Sequence, residues 1–366
     1  MLRSIRSVLT LMLTTLVITS PVHSCMMVPR AFQGRISQNR QQAILIQKGD
    51  RQELVLQVNY QIEGKKDLPK QFAWIVTTPT EPDKYRVTSD STITDTSHWS
   101  RMITIPPPPN PLTASDSLVE TRSAAIGANS IELGRRVKVG PYDVQPVRAR
   151  GLEALDALND WLKENGFPTE DPGHMAYFVK NNFTFCCIKV SPEEEGEGPP
   201  LKRTRGKLPP LQLSFESRSL YYPLKFSSRQ GVFDVELTTL TADPVDVKAS
   251  ADVLKNLNWR QHSSLRNVVV QADHLPKDVK KIITTGDVGE AGTWYVNRFE
   301  CHDVNDGDSI AKWKSDVFLK TNEKLAGTQF HEIGVQPAEN DNQLWKLGAA
   351  LTALLLGAGI VLRSKS

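Results

Sequence analysis

Apolar and polar positions alternate through much of the chain. In Leu54-Val55-Leu56-Gln57-Val58-Asn59-Tyr60, one face carries Leu54, Leu56, Val58 and Tyr60 while the other turns polar at Gln57 and Asn59. That period of two predicts a half-buried strand. Ala43–Ile46 and Phe72–Val76 flank it, so three antiparallel strands are the expected assembly. Thr77–Ile105, rich in Thr, Ser and Asp, then ends in Pro106-Pro107-Pro108-Pro109 and reads as a surface excursion or linker. The period changes at Leu152–Asn165, where Leu152, Leu155, Leu158, Trp161 and Leu162 form one helical stripe that Gly166 and Pro168 stop. A shorter helix is expected at His174–Lys180, leading into a strand at Phe183–Val190. Further strands are expected at Leu211–Phe215, Tyr222–Phe226, Val232–Leu237, Asn267–Gln271 and Trp294–Phe299, with a helix at Ala249–Leu257. Ser191–Pro210, acidic and then basic among prolines and glycines, reads as a solvated loop. The fold class is α+β, a strand-dominated body with a few helices.

Two segments break this pattern by being apolar throughout. Arg3 and Arg6, the run Val8–Ile18 and then Ser20-Pro21-Val22-His23-Ser24 have the order of a secretory signal peptide cleaved before Cys25. An uncleaved anchor, or lipidation of Cys25, are the competing readings; His23 is too large and polar for the latter. Leu347–Leu362 is sixteen residues without a charge. At about 1.5 Å per residue it spans roughly 24 Å, and Trp345, Lys346 and Arg363 can extend it to a bilayer core of about 30 Å. One C-terminal transmembrane helix, 344–362, is therefore expected, with lipid as its partner. A basic cytoplasmic tail, 363–366, would follow, leaving the body outside the cytoplasm, periplasmic or at the cell surface. Retention as an anchor is preferred over a processed sorting tail, because no LPxTG-type sequence precedes it. The expected body is 25–343, with a possible subdomain division near 106–150.

Charge sharpens that topology. The 366 residues hold 44 Lys+Arg against 41 Asp+Glu. The two terminal segments contain five of the cations and none of the acids, so the body keeps 39 against 41, a net of −2. No basic, aromatic-interleaved stripe exists, and no nucleic-acid partner is expected. The averages of the whole chain exclude disorder, and apolar spans do not recur as in a polytopic membrane protein.

Candidate chemistry is sparse. Cys25, Cys186, Cys187 and Cys301 would all lie in an exported body, where disulfides are the default. Neighbours on one strand face opposite ways, so a bond between Cys301 and either Cys186 or Cys187 is expected over one between the adjacent pair. No CxxC spacing supports a redox role, and a zinc site is weaker still. Asp303-Val304-Asn305-Asp306-Gly307-Asp308 fails an EF-hand register by one position and reads as a plain turn. His98, His174, His262, His274, His302 and His331 fall in no recognised catalytic arrangement, and there is no GxSxG elbow, P-loop or dinucleotide fingerprint. No cofactor or metal is expected; a triad assembled across the fold stays open.

The order of several landmarks resembles a known family. Cys25 after the signal segment, the strands Gln42–Ile46 and Glu53–Tyr60, Phe72-Ala73-Trp74-Ile75-Val76, the helix end Trp161-Leu162…Asn165-Gly166, Tyr222-Pro223-Leu224 and Trp294-Tyr295-Val296-Asn297-Arg298 together resemble the secreted bacterial proteins of domain of unknown function 2330. Met26-Met27 stands where relatives tend to have glycines. The resemblance implies an extracytoplasmic bacterial protein, often with a C-terminal membrane or sorting segment, and carries no catalytic residue. The expected function is a single-pass, membrane-anchored envelope protein whose ectodomain binds a protein or glycan partner or plays a structural role, with no enzymatic activity favoured. The alternatives are an envelope hydrolase or transferase, and a thiol-active protein using Cys186 or Cys187.

Overall fold

The structure, a computed structural model, describes residues 25–64, 68–103, 132–148, 153–191, 204–256, 265–286 and 288–326. The expected signal segment and C-terminal span lie outside them. Among the described residues, no helix is long and apolar enough to cross a membrane.

Two sheets pack face to face. The larger is built on a long hairpin, β2 (Gly34–Lys48) and β3 (Arg51–Gly64). Its turn needs the left-handed conformation that Gly49 adopts at φ 57°. β11 (Leu211–Glu216) extends β3, and β5 (Lys84–Val87) extends β11, both antiparallel. On the other side β13 (Phe233–Thr241) runs parallel to β2, followed by β15 (Thr293–Val304) and β14 (Leu265–Gln271). The smaller sheet orders β1 (Met26–Met27), β4 (Phe72–Thr78), β9 (Thr184–Val190), β8 (Tyr142–Arg148) and β6 (Glu132–Leu133). The expected third strand of the hairpin therefore crosses instead to the second sheet, where β4 lies antiparallel to β9. β4 is buried at all seven positions, which suits a central strand covered on both faces rather than an edge.

Alternation assigns each face. Leu54, Leu56 and Val58 of β3 join Trp74, Val76 and Ile188 of the smaller sheet in the main core, with the Tyr60 and Phe72 rings 5.6 Å apart across the interface. The outer face of the larger sheet contributes Ile44, Ile46 and Val55 to a second core. There they meet α1 (Asp90–Met102) and α5 (Lys277–Thr285). The outer face of the smaller sheet is covered by α2 (Glu153–Glu164) and α3 (Pro172–Lys180). The result is four layers, helix, sheet, sheet, helix, and a strand-dominated α+β fold.

The polar stretch after Thr77 is not a plain excursion, because it contains β5 and α1. Ser89 caps α1 by accepting from the Ser91 amide, and Ile93, Thr96 and Trp99 are buried against the sheet. Tertiary burial, rather than a strong apolar stripe, makes this segment helical. The strand expected over Tyr222–Phe226 is shorter, Leu220–Tyr222, and gives way to a 3-10 turn at Lys225–Ser227. Pro223 accounts for that, since it has no amide to offer a ladder.

Candidate functional site

The expected disulfides are not formed: no disulfide joins Cys25, Cys186, Cys187 and Cys301, and all four are buried. Adjacent positions on β9 send Cys186 toward Thr78 and the gap between the sheets, and Cys187 toward the helical layer. Cys301 sits on β15 of the other sheet, opposite Val235. Burial pushes the Cys186 thiol up to about 12 and Cys187 well above its ordinary value. Both shifts disfavour the thiolate that a thiol-active protein would use.

Cys25 is different in its surroundings. It enters the core beside β1, with its carbonyl accepting from the Ile75 amide at 2.7 Å. Its sulfur lies among polar groups rather than hydrocarbon. Ser227 Oγ donates to Sγ at 3.3 Å, and Sγ is 3.7 Å from Gln38 Oε1. Gln41 Nε2 donates to both Gln38 Oε1, at 2.8 Å, and Ser227 Oγ, at 3.0 Å, and Tyr222 donates its hydroxyl to Gln41 Oε1. Gln230 closes the ring, accepting from the Gln38 amide at 3.2 Å.

A β-bulge makes this cradle. The pairing of β2 with β3 slips between Gln38 and Arg40, leaving Asn39 as the extra residue. Gln38 opposite Tyr60 and Gln41 opposite Val58 are then both turned to the inner face, although three residues apart. Simple alternation would separate them. Burial pushes the Cys25 thiol up to about 12, Ser227 opposing and the Glu170 carboxylate adding to the rise. Gln38 Nε2 is buried with no hydrogen-bond partner among the described residues.

The 3-10 turn carrying Ser227 is capped at its C-terminal end by Ser228, which faces a second group of polar residues. Ser228 Oγ is 3.4 Å from Nε2 of His174, and Nδ1 of His174 is 2.8 Å from Glu170 Oε2. Arg229 NH1 lies 3.7 Å from the same carboxylate oxygen. Local sequence explains the placement. Asp171 caps α3 by accepting from the His174 amide, with Pro172 at the first turn, so His174 points back along the helix to Glu170. Asn159 of α2 holds Glu170 from both sides, accepting from its amide at 2.7 Å and donating to its carbonyl at 3.2 Å. The His174 ring stacks on Phe226, centroids 4.6 Å apart at 24°. Asn305 donates to the Ser228 carbonyl at 2.8 Å, so Asn305 turns inward as a structural residue of its turn.

Serine, imidazole and carboxylate in this order form a hydrogen-bonded relay, in which each group orients the next. Glu170 and the His174 side chain are buried, and the Glu170 oxygen not used by His174 has no hydrogen-bond partner among the described residues. His174 was visible in the sequence only as one of the six histidines after Cys25. Glu170, Ser227, Ser228, Gln38 and Gln41 gave no local signal. Among the described residues, no cluster of three or more His, Cys, Asp or Glu side chains could hold a metal ion.

Comparison with known proteins adds family but no activity. No curated protein matches the chain. Among solved structures, the chain is similar to baculovirus P35 at 11% identity and a TM-score of 0.36, covering 80% of this chain and 99% of that one. It is similar to the caspase-8/P35 complex at 9% identity and a TM-score of 0.35, covering 77% and 96%. Likeness of that size carries no argument about function. A family model described as an uncharacterized protein conserved in bacteria, DUF2330, matches residues 20–307, and the chain belongs to that family.

Proposed function

We propose that this chain is an exported, single-pass membrane-anchored protein of the bacterial envelope, with its four-layer body outside the cytoplasm and its last residues inside. The observation that carries this reading is the seat of Cys25. Cys25 is 2% exposed, and the sequence before it runs from the apolar stretch Val8–Ile18 through Ser20-Pro21-Val22-His23-Ser24. A residue seated in the core just after the expected cleavage bond suits a leader removed there. The near-neutral body and the basic tail support the same orientation. Fusing alkaline phosphatase or green fluorescent protein to the C-terminus of the full chain tests it: fluorescence without phosphatase activity is expected, and the reverse overturns the orientation. N-terminal sequencing of the membrane-extracted protein is expected to begin at Cys25.

Within that body, a binding or structural role is the first reading. The second, an envelope hydrolase or transferase, is favoured by the Ser228–His174–Glu170 relay. Nε2 of His174 would take the Ser228 hydroxyl proton as Oγ bonds to an acyl carbon. Glu170, accepting from Nδ1–H, would hold the tautomer and stabilise the imidazolium. The proton then passes to the leaving group as its bond to the acyl carbon breaks. A fluorophosphonate probe, followed by peptide mass spectrometry, tests this. Labelling of Ser228 that is lost in His174→Ala supports the enzyme reading; an unlabelled Ser228 in the folded protein leaves the binding role.

A further inference from the structure

On the other side of α2 from Glu170, a cleft of about 350 Å³ opens between that helix and the outer face of the smaller sheet. We propose that it binds a neutral, hydroxyl-rich glycan. The inference stands whether or not the Ser228 relay is catalytic.

The wall of the cleft is Trp161 of α2. Its indole stacks on Phe167, centroids 6.1 Å apart at 21°. This offset, near-parallel contact restricts the indole, and Trp161 lines the cleft. An indole face held this way is a platform for the C–H face of a pyranose ring, with little side-chain entropy left to lose on binding.

The floor is polar and already fixed. Arg136 grips Asp143 with both Nε, at 2.6 Å from Oδ1, and NH2, at Oδ2. Lys189 Nζ lies 3.6 Å from the same carboxylate. The Arg136 hydrogen bond holds the Asp143 carboxyl below its ordinary value against the opposing effect of burial, so this group stays an acceptor. Two amides complete the set. Gln145 Nε2 donates to the Gly134 carbonyl at 2.5 Å, and Asn165 Nδ2 donates to the Trp161 carbonyl at 2.8 Å. Each amide plane is thereby oriented.

Charge selects among ligands. The cations Arg136 and Lys189 share the cleft with the acids Asp143, Asp160 and Glu164, a net of −1. Both cations face a carboxylate, so the cleft has no spare positive charge for a phosphate, sulfate or carboxylate group. Planar acceptors and donors in alternation beside an aromatic face are the chemistry that hydroxyl pairs on a sugar satisfy. The volume is at the low end of ligand-binding clefts, which run from about 300 to 1,000 Å³. It suits one or two sugar rings rather than a long chain.

The test is tryptophan fluorescence and calorimetric titration of the full-length protein in a detergent without a sugar headgroup. Chitotetraose, cellotetraose and maltotetraose are the neutral probes; tetralysine and a sulfated tetrasaccharide are the charged ones. At least one neutral probe is expected to bind and perturb the fluorescence. Trp161→Ala should weaken it by more than about tenfold, and Gln145→Ala should weaken it while leaving the circular dichroism unchanged. Trp161→Phe, which retains stacking on Phe167, is expected to fold and to keep part of the affinity. Ser228→Ala should bind as the wild type does. No binding of any neutral probe at about 10 mM, unchanged binding in folded Gln145→Ala and Trp161→Phe, or preference for either charged probe would each overturn the proposal.

Discussion

Glu170 and His174 meet across the first turn of α3, with Oε2 2.8 Å from Nδ1 and neither side chain more than 6% exposed. The Glu170 backbone is held separately by Asn159. Loss of the carboxylate would leave both the imidazole and the nearby Arg229 guanidinium without it. Glu170→Ala is expected to destabilise the fold by about 1–3 kcal/mol, whereas Arg229→Ala, at the solvent edge, should cost less than about 1 kcal/mol. Urea denaturation of the two variants measures the difference.

Glu53 gives a pH signature. It lies on β3 and is fully buried, with Gln212 Nε2 donating to Oε2 at 2.8 Å and Ser214 donating to the same oxygen. Oε1 has no hydrogen-bond partner and faces Gly286. Burial raises its carboxyl from 4.5 to about 7 against those two donors and the more distant Arg51 and Arg86. The folded state therefore holds this proton more tightly than the unfolded chain. Its contribution to stability is complete below about 4.5 and falls as the pH rises toward 7, for a total of about 3 kcal/mol at roughly 1.4 kcal/mol per unit. Glu53→Gln, which is neutral at every pH, is expected to flatten that slope. Chemical denaturation of both proteins between pH 5 and 8 gives the comparison, with the variant gaining relative to wild type as the pH rises.

Asp316 anchors a short antiparallel ladder in which Leu220–Tyr222 pairs with Val317–Leu319. Its Oδ1 accepts from the amides of Leu224, Lys225 and Val317 at 2.8–2.9 Å, and Oδ2 accepts from the Tyr221 hydroxyl at 2.8 Å. Burial pushes the carboxyl up, with these donors opposing. Asp316→Ala strands four buried donors and is expected to cost roughly 3–5 kcal/mol or to prevent folding. Asp316→Asn keeps the shape but replaces an acceptor oxygen with an NH2 group, so it should also destabilise, by a smaller amount. Thermal melts by circular dichroism rank the two.

The four thiols offer a chemical check on topology. All are buried and none is in a disulfide, so native protein is expected to resist iodoacetamide. Denaturation without reductant should expose four alkylatable sulfurs, read by intact mass. Cys25 in particular should appear unmodified. A thioether-linked lipid on a sulfur seated among Gln38, Gln41 and Ser227 would have no path to the bilayer.

The sequence by itself determined much of the architecture. The period-two runs became β2, β3, β9, β11, β13 and β15, and the stripe ending at Trp161 became α2, because burial of one face leaves a local periodic trace. Family membership was also legible from the order of landmarks. Other features depended on contacts distant in sequence. β4 reads as a strand in isolation, but which sheet it joins depends on β9, more than a hundred residues later. α1 has almost no apolar stripe and is helical because Ile93 and Trp99 find a sheet to cover. The polar site was least visible of all. Glu170, His174 and Ser228 come from a loop, a helix and a 3-10 turn, and Gln38 joins Gln41 beside Cys25 only because one bulge reverses the alternation. Buried polar groups carry no periodicity of their own; their partners are chosen by the packing of the two sheets, which is where the tertiary structure decided what local pattern could not.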